Sequence, residues 1–267
     1  MKLTMLGTGH AMVLDCYNTC FVMEEDDNCI MVDCGGGNRV LAQLKKAGIP
    51  ANKIHHIIIT HPHADHVIGA AWMVRSIVQF MQMGRFEGDA YIYGHDGVIR
   101  LVRAMAEGTL LPSQLTLLDK RLHLVEVKDG ETRIIGGREV TFFDILSTKT
   151  KQFGFSMKLK DGGRFTCCGD EPCSESGRAY ARGSRWMTHE AFCLYAQADI
   201  YQPYEKHHST VKDACELAEE LGVENLILYH TEEENLARRK ELYTAEGKQY
   251  FKGNLFVPED LESIEIF

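Results

Sequence analysis

Thr60-His61-Pro62-His63-Ala64-Asp65-His66 is the stretch of this sequence that says most about its architecture. It ends an apolar strand, Ile57-Ile58-Ile59, and opens a segment of helical periodicity over residues 65–79. Imidazole nitrogen and carboxylate oxygen are the ligands that zinc and similar borderline metals take. His61 and His63 sit two apart in an extended turn, where both can point to one side and hold one ion. Asp65 and His66 start the helix and can turn to a second ion a few ångströms away. A polar surface loop rarely places four such residues within six positions.

Outward from the motif, short apolar runs recur at residues 2–6, 19–23, 29–33, 54–60, 90–93, 122–127, 139–146, 153–160 and 164–168. Turn residues such as Asp129-Gly130, Gly136-Gly137 and Asp161-Gly162-Gly163 separate several of them, as hairpins require. Helical periodicity marks residues 38–47, 65–79, 98–107, 211–221 and 236–246. Strands outnumber helices and helices fall in both halves, which suits two sheets with helices on their outer faces. No linker or repeat divides the 267 residues, so one domain spanning 1–267 is expected.

Composition narrows the partners. Hydrophobic residues at 45% and charged residues at 25% are ordinary globular usage. No apolar run reaches about 18 residues, and the first strand meets Gly7 too early for a signal peptide, so a cytoplasmic protein with no membrane partner is expected. Against 29 basic residues stand 38 acidic ones, a balance of −9 that disfavours RNA as a partner of the whole surface while leaving a local groove open. The nine cysteines lack any C-x-x-C spacing and read as reduced thiols.

The H-x-H-x-D-H pattern resembles the signature of the metallo-β-lactamase superfamily, and the likeness extends over most of the chain. It implies an α/β (α+β) fold, a four-layer αββα sandwich of two mixed β-sheets with helices on the outer faces. Gly7-Thr8-Gly9 matches the family's opening turn, and Asp33, in Val32-Asp33-Cys34-Gly35-Gly36-Gly37, its support beneath the ligands. By the same resemblance Asp170, after Cys168-Gly169, bridges two metals, and His230, closing Leu226-Ile227-Leu228-Tyr229-His230, is the last ligand. The implied ligand set is His61, His63, Asp65, His66, Asp170 and His230. It would hold one or two zinc ions, with Mn2+ or Fe2+ also compatible.

One ligand of the family is absent. The stretch from Phe143 to Phe155 contains no histidine, and Leu146 or Thr148 occupies the place of the third ligand of the first site. His61, His63 and Asp170 with water still make a viable zinc site, of lower expected affinity. Ala64 departs from the glutamate of diiron relatives, which favours hydrolysis over redox chemistry.

His189-Glu190-Ala191, followed by Lys206-His207-His208-Ser209-Thr210 and a helix, looks like the ribonuclease Z branch. There Glu190 would orient His208, and His208 would protonate the leaving oxygen after a metal-bound hydroxide attacks phosphorus. Asp65 could take the proton of that water. His189 and His207 read as structural or pocket-lining. Arg178, Arg182 and Arg185 are the candidates for holding the substrate phosphate, whereas Lys149, Lys151, Lys158, Lys160 and Arg164 read as a solvated hairpin face. Only 22 positions separate Thr148 from Asp170, too few for the long arm of ribonuclease Z. The expectation is a metal-dependent hydrolase of a small phosphodiester or other ester. A thioester or lactone hydrolase and a metal-poor binding domain are the alternatives, and a homodimer is a family expectation only.

Overall fold

The apolar runs pair into two seven-stranded mixed sheets. The computed structural model describes residues 1–267. The first sheet takes β1 (Lys2–Gly7), β2 (Cys20–Glu25), β3 (Asn28–Val32), β4 (His56–Ile58), β5 (Ala90–Gly94) and β6 (Leu122–Glu126). The second takes β7 (Thr132–Ile135), β8 (Arg138–Asp144), β9 (Phe153–Lys158), β10 (Arg164–Cys167), β11 (Trp186–Glu190), β12 (Asn225–Tyr229) and β13 (Asn254–Phe256), and the last strand, β14 (Ser263–Glu265), returns to pair with β1. Strand orders are β14-β1-β2-β3-β4-β5-β6 and β13-β12-β11-β10-β9-β8-β7. Gly136 and Gly137, both at positive φ, turn β7 into β8, the conformation a two-residue hairpin needs.

Helices α1 (Arg39–Lys46), α2 (Ala64–Gln82), α3 (Asp96–Thr109) and the single turn α4 (Pro112–Leu115) belong to the first half. The second half contributes α5 (Glu175–Ala181), α6 (Ala198–Tyr201), α7 (Val211–Glu220) and α8 (Arg239–Gly247). Three apolar layers glue these parts together. Ile57, Val74 and Val102 pack between the first sheet and its helices. Phe21, Phe142, Phe155 and Trp186 fill the space between the sheets, and Met187, Ala214 and Tyr243 lie between the second sheet and α7 and α8. The architecture is thus helix, sheet, sheet, helix, as the resemblance implied. No helix is long and apolar enough to cross a membrane.

The strand directions place the chemistry. β3 to β6 run parallel, and so do β10 to β13. The H-x-H motif leaves the end of β4, Asp170 follows β10, Glu190 closes β11 and His230 follows β12. Ligands of open α/β sheets gather at such carboxyl ends, because the loops there are free of the ladder. The helix expected at residues 236–246 starts later, at Arg239.

Candidate metal centre

Two groups of three ligand-type atoms face each other across this rim. One comprises His61, His63 and Asp170, the other Asp65, His66 and His230. Asp170 Oδ2 lies 3.4 Å from His61 Nε2, 3.5 Å from His66 Nε2 and 3.5 Å from His230 Nε2, a position between the two groups. Asp65 Oδ2 is 3.3 Å from His66 Nε2 and 3.4 Å from His230 Nε2. Atoms bound to one tetrahedral zinc by bonds of about 2.0–2.1 Å stand about 3.3–3.4 Å apart, so the spacing fits such an ion.

The unmet polar groups point the same way. His66 Nε2, His230 Nδ1 and Asp170 Oδ1 are buried without a hydrogen-bond partner. Unpaired buried polar atoms are costly, and a metal ion in the cleft would satisfy those that face it. His61 Nε2 and His63 Nδ1 stand 3.0 Å apart. Two lone-pair nitrogens that close repel unless a proton or a cation lies between them.

Asp33 sets which nitrogens face the cleft. Its carboxylate, 4% exposed, accepts from the Thr60 amide and the Thr60 hydroxyl, each at 2.8 Å, and from His66 Nδ1 at 2.7 Å. The Thr60 hydroxyl, having donated to Asp33, accepts from His61 Nδ1 at 2.9 Å. Both rings are thereby fixed with Nε2 as the lone-pair atom, the tautomer a metal needs. Asp33 is therefore more than a turn cap. The backbone concedes strain here, because Asp33 and His230 hold φ of 55° and 56° in the left-handed region. Gly69 allows the helix to dock: a Cβ there would sit 1.9 Å from the Cys34 carbonyl oxygen.

Burial pushes His61 well below the ordinary imidazole range, and His63 also down, which keeps both neutral. Burial opposes charge on Asp65 and Asp170 too, but the histidines around them outweigh it and hold both carboxyls below their usual range. For His66 burial is outweighed by Asp65, Asp33 and Asp170, which push it well above the ordinary value.

Glu190 is fully buried, and its Oε1 accepts from the Ser209 amide. Its Oε2 lies 3.6 Å from His208 Nδ1. The His208 ring stacks on Phe192 at 5.0 Å and reaches within 5.2 Å of His230. Thr210 caps α7, in a reciprocal pair with Asp213. His189 is structural: Nδ1 pairs with the Glu190 carbonyl at 2.7 Å, and Nε2 accepts from the Cys173 amide at 3.3 Å.

The three arginines expected to grip substrate lie elsewhere. Arg185 precedes β11, whereas Glu190 closes it, so the strand's length separates them. Arg185 pairs with Asp161, and Arg178 donates to Glu220 at 2.9 Å. Arg182 caps the C-terminus of α5. Their nearness to the site in sequence was misleading, because α5 and Arg185 precede β11, the strand whose far end carries Glu190. Lys158 and Lys160 lie on the hairpin as expected, near Glu139 and Asp26, whereas Lys149 and Lys151 precede β9 and pair with Glu171 and Asp96. Of the two residues in the stretch of the absent ligand, Leu146 is exposed and Thr148 contacts His207 Nδ1 at 3.2 Å. The residue that sequence reasoning missed is His10. It follows the Gly7-Thr8-Gly9 turn and stands 6.4 Å from His230, ring to ring. Its only sequence signal was its place beside that turn.

Known proteins share this fold. Ribonuclease Z of Streptococcus gordonii is 24% identical, with all of both chains covered, and the alignment runs to 326 positions, so that relative carries segments this chain lacks. The metallo-β-lactamase fold protein YhfI from Bacillus subtilis superposes with a TM-score of 0.81 at 17% identity over 98% of each chain. The short form of human tRNase Z gives 0.74 at 23% identity, covering 100% of this chain and 99% of its own. A model of the family described as anti-Pycsar protein Apyc1 matches residues 1–251. This metal-dependent hydrolase of the metallo-β-lactamase fold, ribonuclease Z-like in its relatives, belongs to the anti-Pycsar protein Apyc1 family.

Proposed function

We propose that the chain is a phosphodiesterase acting on a small phosphodiester. His61, His63 and Asp170 would hold one metal ion, and Asp65, His66 and His230 a second, with Asp170 shared. The mixed nitrogen and oxygen donors favour zinc, and Mn2+ or Fe2+ also suit them. Ions bound there supply Lewis acidity to phosphoryl oxygens and lower the pKa of water. With no histidine between Phe143 and Phe155, the first ion would rest on three protein ligands and be the weaker of the two.

The observation that carries the reading is the Glu190–His208 contact of 3.6 Å beside the ligand cluster. The buried Glu190 carboxylate faces Nδ1 and so orients the ring with Nε2 as its free nitrogen. An alkoxide leaving a phosphodiester needs a proton, whereas carbonyl substrates need it less. Asp65, a neighbour of the same cleft, accepts the proton of the attacking water. The hairpin of β9 and β10 fills the stretch where ribonuclease Z would carry its arm. With the −9 balance, this supports a small substrate over a structured RNA.

The test is a panel on zinc-loaded protein: cyclic and linear phosphodiesters, a precursor tRNA, a thioester and a lactone. Turnover of small phosphodiesters, lost with a chelator, is the expected outcome. Preference for the thioester or lactone, or for the precursor tRNA, would overturn it.

A further inference from the structure

One histidine of the cleft wall belongs to neither ligand group nor to the Glu190–His208 pair. His10 packs edge-on against Phe192 at 4.9 Å, and Phe192 carries the stacked His208 ring at 5.0 Å. With His230 6.4 Å from His10 and 5.2 Å from His208, these rings make one continuous wall beside the Asp65–His66–His230 group.

The position is built from below. The His10 amide donates to the Thr231 carbonyl at 3.0 Å, and the His10 carbonyl accepts from Asn18 Nδ2 at 2.8 Å. Under the turn the buried Arg239 donates to Thr231 Oγ1 at 2.7 Å and to Thr8 Oγ1 at 2.9 Å. One guanidinium thus ties the residue after His230 to the turn that presents His10. Glu233 accepts from the Leu14 and Asp15 amides at 2.8 Å each, fastening the far end of the same loop.

The ring's orientation is also set. The Met12 amide donates to His10 Nδ1 at 3.4 Å. In a neutral imidazole one nitrogen accepts and the other carries the proton, so this contact puts the proton on Nε2. Nε2 makes no hydrogen bond within the protein, and the ring is half-buried.

We infer that His10 contacts substrate: its Nε2–H donates to a phosphoryl oxygen of the phosphodiester lying against the Asp65–His66–His230 group. Asp65, Asp170 and Glu190 offer acceptors, while phosphoryl oxygens require donors. A neutral donor suits the place, since a cationic side chain would be repelled by ions held next to it. Of the rim's own cations, Lys149 lies near Glu171 at 3.7 Å, and Lys206 sits over the Phe192 ring at 5.0 Å.

The inference rests on the phosphodiesterase reading for its substrate, and inorganic phosphate separates the two. Calorimetric titration of phosphate into zinc-loaded protein, with zinc content and melting temperature measured alongside, compares wild type, His10→Ala and His10→Gln. His10→Ala should weaken phosphate binding about tenfold or more, the worth of one hydrogen bond to a charged acceptor. KM for a phosphodiester should rise by a similar factor, zinc content should hold, and the amide donor of His10→Gln should restore part of the loss. Unchanged phosphate affinity in His10→Ala would overturn the contact. So would lost zinc or a lowered melting temperature in both variants, which would make the ring a structural prop for Phe192. His10-dependent phosphate binding without phosphodiester turnover would keep the contact and sink the phosphodiesterase reading alone.

Discussion

Replacing Asp33 by asparagine probes the centre without touching a ligand. Asparagine is at ease at the φ of 55° found there, so backbone strain does not enter. The carboxylate receives three donors, the Thr60 amide, the Thr60 hydroxyl and His66 Nδ1. An amide offers one oxygen and one NH2 group in the same space. If the oxygen keeps the Thr60 amide, the NH2 meets His66 Nδ1, which must become an acceptor. The proton then moves to Nε2, the atom 3.3 Å from Asp65 Oδ2, where a metal needs a lone pair. If the amide flips, the NH2 opposes the buried Thr60 N–H, an unsatisfied donor worth about 1–3 kcal/mol. The cost of the flip keeps the oxygen on the Thr60 amide, so zinc should bind about 10–100-fold more weakly. Because the Thr60 hydroxyl also orients His61, both sites should weaken, whereas Thr60→Val should weaken chiefly the His61 and His63 site. Competition with a chromogenic chelator measures the affinities. Unaltered zinc affinity in Asp33→Asn, with only a lower melting temperature, would refute this account of Asp33.

Other consequences are as direct. His208→Ala should cost about 10²–10⁴ in turnover of phosphodiesters with alkoxide leaving groups, far less with p-nitrophenolate, and nothing in zinc content; equal losses on both substrates would make His208 a binding or structural residue. Gly69→Ala drives a Cβ against the Cys34 carbonyl oxygen, so it should cost about 1–3 kcal/mol or more and lower the melting temperature by several degrees; a neutral result would mean that α2 docks less closely than described. Burial, aided by His55, pushes His56 down from 6.5 to about 4. The unfolded chain therefore takes up a proton that the folded chain refuses, and stability falls as pH drops through that window. His56→Gln should make the fall in melting temperature between pH 7 and pH 4 shallower, and parallel curves would remove His56 as its source.

What was legible in the sequence follows from how locally each feature is encoded. The H-x-H-x-D-H motif lies within one strand-to-helix turn, so spacing alone brings its four side chains together. Asp170 and His230 come from distant strands, and only the family resemblance singled them out. The edge strands β7 and β13 escaped a reading of apolar runs because an edge carries charged, exposed residues, as Thr132 to Ile134 do. The arginine assignment failed for a topological reason. Residues close to Glu190 in sequence can sit at the opposite end of β11, and the sequence does not show which end faces the metals. His10 was hidden because its importance comes from Phe192 and His230, about two hundred residues away, and from Arg239 beneath them.

The measurement that bears most directly on the whole account is zinc titration of chelator-stripped protein, with bound metal counted and phosphodiester turnover followed in the same samples. One tight and one weaker equivalent per chain are predicted, with turnover appearing as they fill and both lost in Asp170→Ala. A chain that binds no zinc, or that keeps all its zinc after Asp170→Ala, would contradict it.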